Sequence, residues 1–283
     1  MARIFEKFDT KHADQVHDLC YDYYGKRLAT CSDDHTIKIW EVRENGVDSD
    51  TGAPQIELSA EIKAHTGSVL KVVWAHPEFG QVIASCSFDR TVCIFEEIPG
   101  EGGHRKKWQK RAQLPDGRAA ITDIKFCPRH LGLKLAAACA DGVVRVYQAI
   151  DVMNLSQWSL LEEFEVCKDK SCAISWNPSP FASQPAMVVG SYDGSVQIWK
   201  YSDQTRKWVP SVSLLDATGP DSAEIHCVAW APNVGRSHDF IAAGSKNELL
   251  RIWKIDTRTE SYNVTQLKQP GSEIWQVEWN ITG

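Results

Sequence analysis

Residues 27–40 read RLATCSDDHTIKIW, and this stretch decides the fold. An apolar-alternating segment leads to a turn at Asp34, and a second alternating segment ends at Trp40. Alternation of apolar and polar residues is typical of strands with two different faces, and Asp is a favoured turn residue. The stretch therefore predicts two antiparallel strands joined by a tight turn.

The same phrase returns four times along the chain. It recurs as VIASCSFDRTVCIF (82–95), LAAACADGVVRVY (135–147), MVVGSYDGSVQIW (187–199) and FIAAGSKNELLRIW (240–253). The closing aromatics at 40, 95, 147, 199 and 253 lie 52 to 55 residues apart, and each follows a turn Asp or Asn by six residues. Self-similarity at such a period indicates a repeat architecture.

A further strand precedes each phrase and also ends in an aromatic residue, namely Tyr21, Trp74, Phe126, Trp176 and Trp230. A sixth copy begins with IWQVEWNITG, contains Trp279 and stops. Fourth strands fit IELSAEIK, LLEEFEV and NVTQLK, whereas residues 43–55, 99–111 and 149–160 are predicted to be surface loops. Radially repeated four-stranded sheets form a β-propeller.

We therefore predict an all-β protein with one propeller domain over residues 1–283. The expected blades cover about 9–63, 64–115, 116–169, 170–218 and 219–271, with a partial sixth blade over 272–283 that leaves the ring open.

Composition restricts the function classes. The 283-residue chain has a net charge of −6, which argues against direct nucleic-acid binding because phosphate contacts need a basic surface. Its nine cysteines are an odd number without a CxxC pair, which indicates reduced thiols in the cytosol or nucleus. No apolar run approaches the roughly 18 residues of a transmembrane helix, so no membrane span is expected.

The repeats resemble the WD40 family, whose motif combines a loop His, a strand Ser or Thr, a turn Asp and a closing Trp. The first repeat carries all four residues as His12, Thr30, Asp34 and Trp40. The second carries His65, Ser85 and Asp89, with Phe95 replacing Trp. The resemblance implies a hydrogen-bonded structural tetrad in the first repeat and a partial one in the second.

The later repeats lack both the His and the hydroxyl, since Ala137, Val189 and Ala243 occupy the hydroxyl position. We therefore expect Asp141 in the third repeat to contribute less stability than Asp34. His12 and Asp34 could also be interpreted as a catalytic dyad, but the repeat favours a structural role.

No other catalytic, cofactor or metal site is predicted. The glycines at 100, 102 and 103 favour a flexible loop over a phosphate site, and Cys167 and Cys172 have no nearby His for zinc. The basic loop 105–111 around Trp108 could contact RNA or an acidic partner, although a solvated loop with Trp108 against a blade is the simpler interpretation.

Several stretches that the repeat does not require resemble one branch of the family. WAHPEFGQVIASCSFDRT (74–91), FCPRHLGLKLA (126–136), DVMNLSQWSL (151–160) and WAPNVGR (230–236) resemble the Seh nucleoporins, the Sec-type propellers of the nuclear pore Y complex. Loops vary freely when only the fold constrains them, so the 151–160 insert is the most specific of these. In that branch the sixth blade continues past the WNITG phrase, where this sequence ends.

The resemblance implies a non-enzymatic scaffold at the nuclear pore. An α-solenoid nucleoporin would insert a blade of its own strands beside the first blade, near Ile4, Phe5 and Phe8. The branch is also shared with the GATOR/SEA complex, in which a different α-solenoid subunit binds it during TOR signalling at the lysosomal or vacuolar membrane. A COPII vesicle-coat propeller of the Sec family is the alternative.

Overall fold

The computed structural model describes residues 8–47, 54–100, 106–168, 172–214, 223–233, 235–268 and 271–283. Within them lie twenty β-strands and two short 3₁₀ turns, Pro77–Phe79 and Arg129–Leu131. No helix in these ranges is both long and apolar enough to cross a bilayer. The prediction of an all-β fold is therefore confirmed.

The strands form five four-stranded antiparallel sheets, and in each sheet the strand order follows the chain. The first sheet contains β1 (Val16–Tyr21), β2 (Arg27–Ser32), β3 (Thr36–Val47) and β4 (Pro54–Lys63). The second contains β5 (Val69–Trp74), β6 (Val82–Ser87), β7 (Val92–Pro99) and β8 (Lys106–Leu114). The third contains β9 (Ile121–Phe126), β10 (Lys134–Cys139), β11 (Val143–Ala149) and β12 (Trp158–Glu165).

The fourth sheet contains β13 (Cys172–Trp176), β14 (Ala186–Ser191), β15 (Val196–Ser202) and β16 (Lys207–Leu214). The fifth contains β17 (Ile225–Trp230), β18 (His238–Ser245), β19 (Leu249–Asp256) and β20 (Tyr262–Lys268). Each quoted repeat phrase supplies the second and third strands of one sheet, as the sequence predicts.

Two fourth strands were absent from the sequence prediction. Residues 106–111, predicted to be part of a loop, belong to β8, and β16 was not predicted at all. β8 is rich in Lys and Arg, and β16 contains Pro210, so neither has the apolar alternation of a half-buried strand. Both lie at the edge of their sheets, where charges and proline are tolerated.

The described chain divides into two compact units, 1–124 with 151–157 and 125–150 with 158–283. In the first unit, a core of residues such as Ala29, Ile39, Val72 and Phe95 lies between the first and second sheets. In the second unit, one core joins the third and fourth sheets and another joins the fourth and fifth. The second strands β6 and β14 are buried along their whole length, because each is covered on both faces.

The tight turn between the second and third strands explains the Asp that recurs in every repeat phrase but the fifth. The carboxylate of Asp34 accepts a hydrogen bond from the amide two residues later, at 3.0 Å, and Asp89, Asp141 and Asp193 do the same. The following residue has a positive φ, which is 79° at Gly142. Asp stabilises such turns through this local hydrogen bond, so its presence does not by itself require a tetrad.

The sixth copy contacts the preceding sheet as a first strand does, although it does not itself form a strand. No strand is assigned within 271–283. The Trp279 indole nevertheless donates to the Ala229 carbonyl at 3.1 Å, and Trp176 donates in the same way to the Lys125 carbonyl at 3.1 Å. The sixth copy therefore contacts the fifth sheet through the same indole-to-carbonyl hydrogen bond by which the first strand of the fourth sheet contacts the third sheet.

Candidate functional site

The first repeat joins its four motif residues in one chain of hydrogen bonds. The Trp40 indole donates to the Thr30 hydroxyl at 3.0 Å. The Thr30 hydroxyl lies 2.9 Å from His12 Nε2, and His12 Nδ1 lies 2.8 Å from Asp34 Oδ2. The directions are consistent when the hydroxyl donates to Nε2 and Nδ1–H donates to the carboxylate. Each buried polar side chain of this tetrad thereby has a hydrogen-bond partner.

Asp34 is the acceptor at the end of this chain. It also accepts from the Ala13 amide at 3.0 Å and from the Thr36 hydroxyl at 2.6 Å. Burial would raise the pKa of Asp34, but hydrogen bonds from Thr36 and His12 outweigh it and hold that pKa well below its usual range. The carboxylate is therefore charged at neutral pH and fixes the position of the His12 loop.

The second repeat forms a shorter version of the same arrangement. His65 Nδ1 lies 2.9 Å from Asp89 Oδ2, and Nε2 lies 2.8 Å from the Ser85 hydroxyl. Phe95 has no N–H group to donate, so this series of hydrogen bonds ends at the Ser85 hydroxyl. Burial lowers the pKa of His65, although Asp89 opposes this shift.

A catalytic interpretation of either His–Asp pair is not supported by this geometry. The side chains of His12 and His65 are 1% and 0% exposed, and both ring nitrogens of each already have partners. A general base must reach a proton on a substrate, which these rings cannot do. In the part of the chain that the structure describes, no group of three or more potential metal ligands is found.

The third repeat replaces the missing His with an arginine that sequence analysis did not identify. Arg145 on β11 is 2% exposed, and its Nη2 donates to Asp141 Oδ2 at 2.9 Å. Its Nε lies 3.4 Å from Glu163 Oε2 on β12. Burial raises the pKa of Asp141, but the hydrogen bond from Arg145 outweighs this effect, and the net shift is downward.

Arg145 gives Asp141 a buried partner that the expectation of a smaller contribution than that of Asp34 did not include. A sequence signal for it exists, since Arg145 and Arg251 both lie two residues before the closing aromatic in repeats that lack the His. Arg251 is likewise only 2% exposed. The first repeat carries Lys38 at the same position beside a complete tetrad, so a charge there indicates a substitute only in a repeat that lacks the His.

Of the three predicted partner-binding residues, Ile4 and Phe5 lie outside the described residues. The ring of Phe8 packs edge-on against Trp40 with 5.4 Å between the centroids. Trp40 lies opposite Leu28 and Leu58, and Leu28 lies opposite Tyr21, so these side chains share one face of the first sheet.

This face carries an exposed apolar surface that sequence analysis did not find. Its exposed members, called here the apolar face of the first sheet, are Phe8 at 37%, Leu19 at 49%, Tyr21 at 52% and Leu58 at 46%. The opposite face packs against the second sheet through residues such as Ala29 and Ile39. A strand with both faces apolar indicates a second packing partner, which is the signal that could have identified the surface.

Comparison with known proteins gives consistent matches. The family described as WD domain, G-beta repeat matches residues 5–41 and 56–96. Nucleoporin SEH1-A of Xenopus laevis is 44% identical over 96% of this chain and 78% of its own length. Nucleoporin SEH1 of Homo sapiens is 43% identical over the same shares, and that of Danio rerio is 43% identical over 96% and 77%.

The part of this chain that aligns with these relatives includes all five sheets. This is the coverage expected if the resemblance extends through the stretches at 74–91, 126–136, 151–160 and 230–236. The predicted resemblance is therefore confirmed, and the chain belongs to the SEH1 nucleoporin family of WD40-repeat proteins.

Proposed function

We propose that this chain is a scaffold propeller of the nuclear pore Y complex that binds an α-solenoid nucleoporin beside its first sheet. As a WD40 nucleoporin it is a structural protein and not an enzyme. In our proposal the five sheets and the sixth copy are the blades of one open propeller. The solenoid contributes strands that pack against the first blade.

The apolar face of the first sheet is the observation that carries this proposal. Four large apolar side chains are partly exposed on a sheet whose other face is already packed. Exposed apolar groups of this size on a sheet indicate an interaction surface. Strands of a partner could cover the side chains and also offer backbone groups to an open sheet edge, a recognised mode of strand addition.

We further propose that the chain serves the GATOR/SEA complex through a second α-solenoid protein. This assignment rests on the resemblance to the Seh branch. It places the chain at the nuclear pore and also at the periphery of the lysosomal or vacuolar membrane. A shared propeller needs only one docking surface if both solenoids offer the same kind of strand segment.

Affinity purification of the tagged chain with quantitative mass spectrometry tests these assignments. We expect Y-complex solenoids in the purified material, together with subunits of the GATOR/SEA complex. A matched variant, Tyr21→Ser, removes one large side chain from the apolar face and should deplete the solenoids. Recovery of COPII coat proteins in place of Y-complex solenoids would contradict the proposal.

The control is Phe181→Ser, which removes an equally apolar side chain at 91% exposure from a loop of the second unit. It should leave the recovered partners unchanged. Equal depletion by both variants would show that general surface apolarity, and not the apolar face of the first sheet, determines recovery.

A further inference from the structure

A cavity lies between the fourth and fifth sheets, within the second unit. Its volume is about 440 Å³, and ligand pockets commonly measure roughly 300–1,000 Å³. Apolar side chains from both sheets line it, namely Ile198 on β15, Val212 on β16 and Ile255 on β19. All three belong to the core that joins these sheets or pack against it. Exposed residues such as Thr257 also line the cavity, which therefore opens to solvent.

Charged residues also line the cavity, and carboxylates outnumber cations among them. Asp239, Asp256 and Glu260 carry negative charges, whereas Lys200 and Arg236 carry positive charges. Lys200 forms an ion pair with Glu260. The guanidinium of Arg236 donates to main-chain carbonyl groups at distances of 2.7 to 3.0 Å. The charge that remains in the cavity is therefore negative.

Neutral donors hold two of these carboxylates in place. Asp239 accepts a hydrogen bond from the side-chain amide of Asn233 at 2.8 Å. Asp256 accepts from the backbone amides of Arg258 and Thr259, at 2.8 and 3.0 Å, and these hydrogen bonds lower its pKa. Within the described part of the chain, neither carboxylate forms an ion pair with a Lys or Arg side chain. Both can therefore bind a cation from outside the chain.

Trp230 on β17 adds an unsatisfied donor to the lining of the cavity. At the matching position of other copies, Trp176 and Trp279 donate their indole N–H to a carbonyl group of the preceding sheet. Trp230 is 7% exposed, and its buried Nε1 has no hydrogen-bond partner among the described residues. An unsatisfied buried donor is unfavourable, and a carbonyl group bound in the cavity supplies the missing acceptor. This favours an occupant that has a peptide backbone.

We propose that this cavity binds an arginine side chain carried by a segment of a partner protein. The aliphatic stem of the arginine packs against Ile198, Val212 and Ile255, as the stems of long basic side chains do on apolar surfaces. The guanidinium donates to the carboxylates of Asp239 and Asp256. Arginine is favoured over lysine, because its planar group presents several donors in a geometry that matches carboxylates. The apolar face of the first sheet belongs to the other unit, so the two binding sites are separate.

Saturation-transfer NMR of the full chain, titrated with N-acetyl-arginine methylamide, tests the site. The citrulline analogue is the matched control ligand, because it has nearly the same shape as the arginine analogue and no charge. We expect it to bind about tenfold more weakly, the factor that one charge-assisted hydrogen bond supplies. The lysine analogue should also bind more weakly than the arginine analogue. Equal affinities of the arginine and citrulline analogues for the native chain would contradict the proposal.

The double variant Asp239→Asn/Asp256→Asn keeps both hydrogen-bond acceptors and removes both charges. It should bind the arginine analogue only as weakly as the native chain binds the citrulline analogue. The control is Glu61→Gln/Glu165→Gln, which removes the same net charge at exposed positions on β4 and β12 and should keep the native affinity. Native affinity in Asp239→Asn/Asp256→Asn, or an equal loss in both double variants, would show that the arginine analogue does not bind at these carboxylates.

Discussion

Asp34 is the residue on which the first repeat depends most, because its carboxylate accepts from a loop histidine, a loop amide and a turn hydroxyl. Asp34→Ala leaves His12 and the Ala13 amide without their acceptor. We expect a loss of about 1–3 kcal/mol in the free energy of unfolding, the usual cost of an unsatisfied buried polar group. Thermal and urea denaturation at neutral pH measure it, and an unchanged melting temperature would exclude a structural tetrad.

The same carboxylate predicts a pH dependence with a definite sign. Its pKa is lowered in the folded chain, so its contribution is fully present above the unfolded value of about 3.9 and is lost as pH falls below it. The difference in stability between the native chain and Asp34→Ala should therefore shrink between about pH 5 and pH 2. A difference that stays constant across this range would contradict the assignment.

Arg145 and Asp141 form the substitute pair in the third repeat. Asp141→Ala leaves a guanidinium that is 2% exposed without its closest carboxylate, and we expect a loss of about 3–5 kcal/mol. The double variant Asp141→Ala/Arg145→Met should recover part of this loss, because it removes the buried charge as well. Urea denaturation of both variants measures the difference. Equal instability of the single and double variants would argue against a buried ion pair.

The WD40 motif predicts His12, Thr30, Asp34 and Trp40 as a group because it specifies them by spacing. The motif contains no arginine, so it does not predict the pair of Arg145 and Asp141. Arg145 lies two residues before Tyr147, but Lys38 holds the same place in the first repeat beside a complete tetrad. The pairing of Arg145 with Asp141 is therefore visible only in the structure.

At the scale of elements, a charged ladder connects the first strands of three successive repeats. Asp18, Lys71 and Asp123 each lie three residues before the aromatic that ends β1, β5 or β9. Lys71 Nζ lies 3.5 Å from Asp18 Oδ1. Burial would lower the pKa of Lys71, but Asp123 and Asp18 outweigh it and raise that pKa.

Lys71→Met keeps most of the side-chain volume and removes the central charge of this ladder. Because Asp18 and Asp123 are each 6% exposed, we expect a loss of about 3–5 kcal/mol, as for other buried charges that lose a partner. Lys71→Arg, which keeps the charge, is the control and should lose much less. Denaturation curves compare them, and a Lys71→Met variant as stable as the native chain would show that the ladder is dispensable.

Strands two and three of every sheet were predictable, because they are largely buried and because a turn and the periodic aromatic of the third strand recur at a fixed spacing. The edge strands β8 and β16 were not, since solvent exposure removes the apolar alternation that identifies a strand. The apolar face of the first sheet was missed for a related reason. Leu19 and Tyr21 lie on β1 and Leu58 lies on β4, and only strand pairing brings the two strands' side chains to a common face.

At the scale of the whole molecule, membership in the SEH1 family indicates a scaffold, whose function depends on the partners that it binds. The exposed apolar side chains of the first sheet should make the isolated chain prone to self-association. Their coverage by partner strands should improve solubility, because apolar surface leaves water on binding. Single serine substitutions on this face should weaken the complex without unfolding the sheet, whose core lies on the opposite face.

Size-exclusion chromatography with light scattering tests whether partner strands cover the apolar face of the first sheet, using the chain expressed alone and co-expressed with the blade-forming segment of the proposed solenoid partner. We expect a self-associating chain alone, a stable one-to-one complex on co-expression, and loss of that complex in Tyr21→Ser but not in Phe181→Ser. A monodisperse monomer that ignores the partner segment would contradict it.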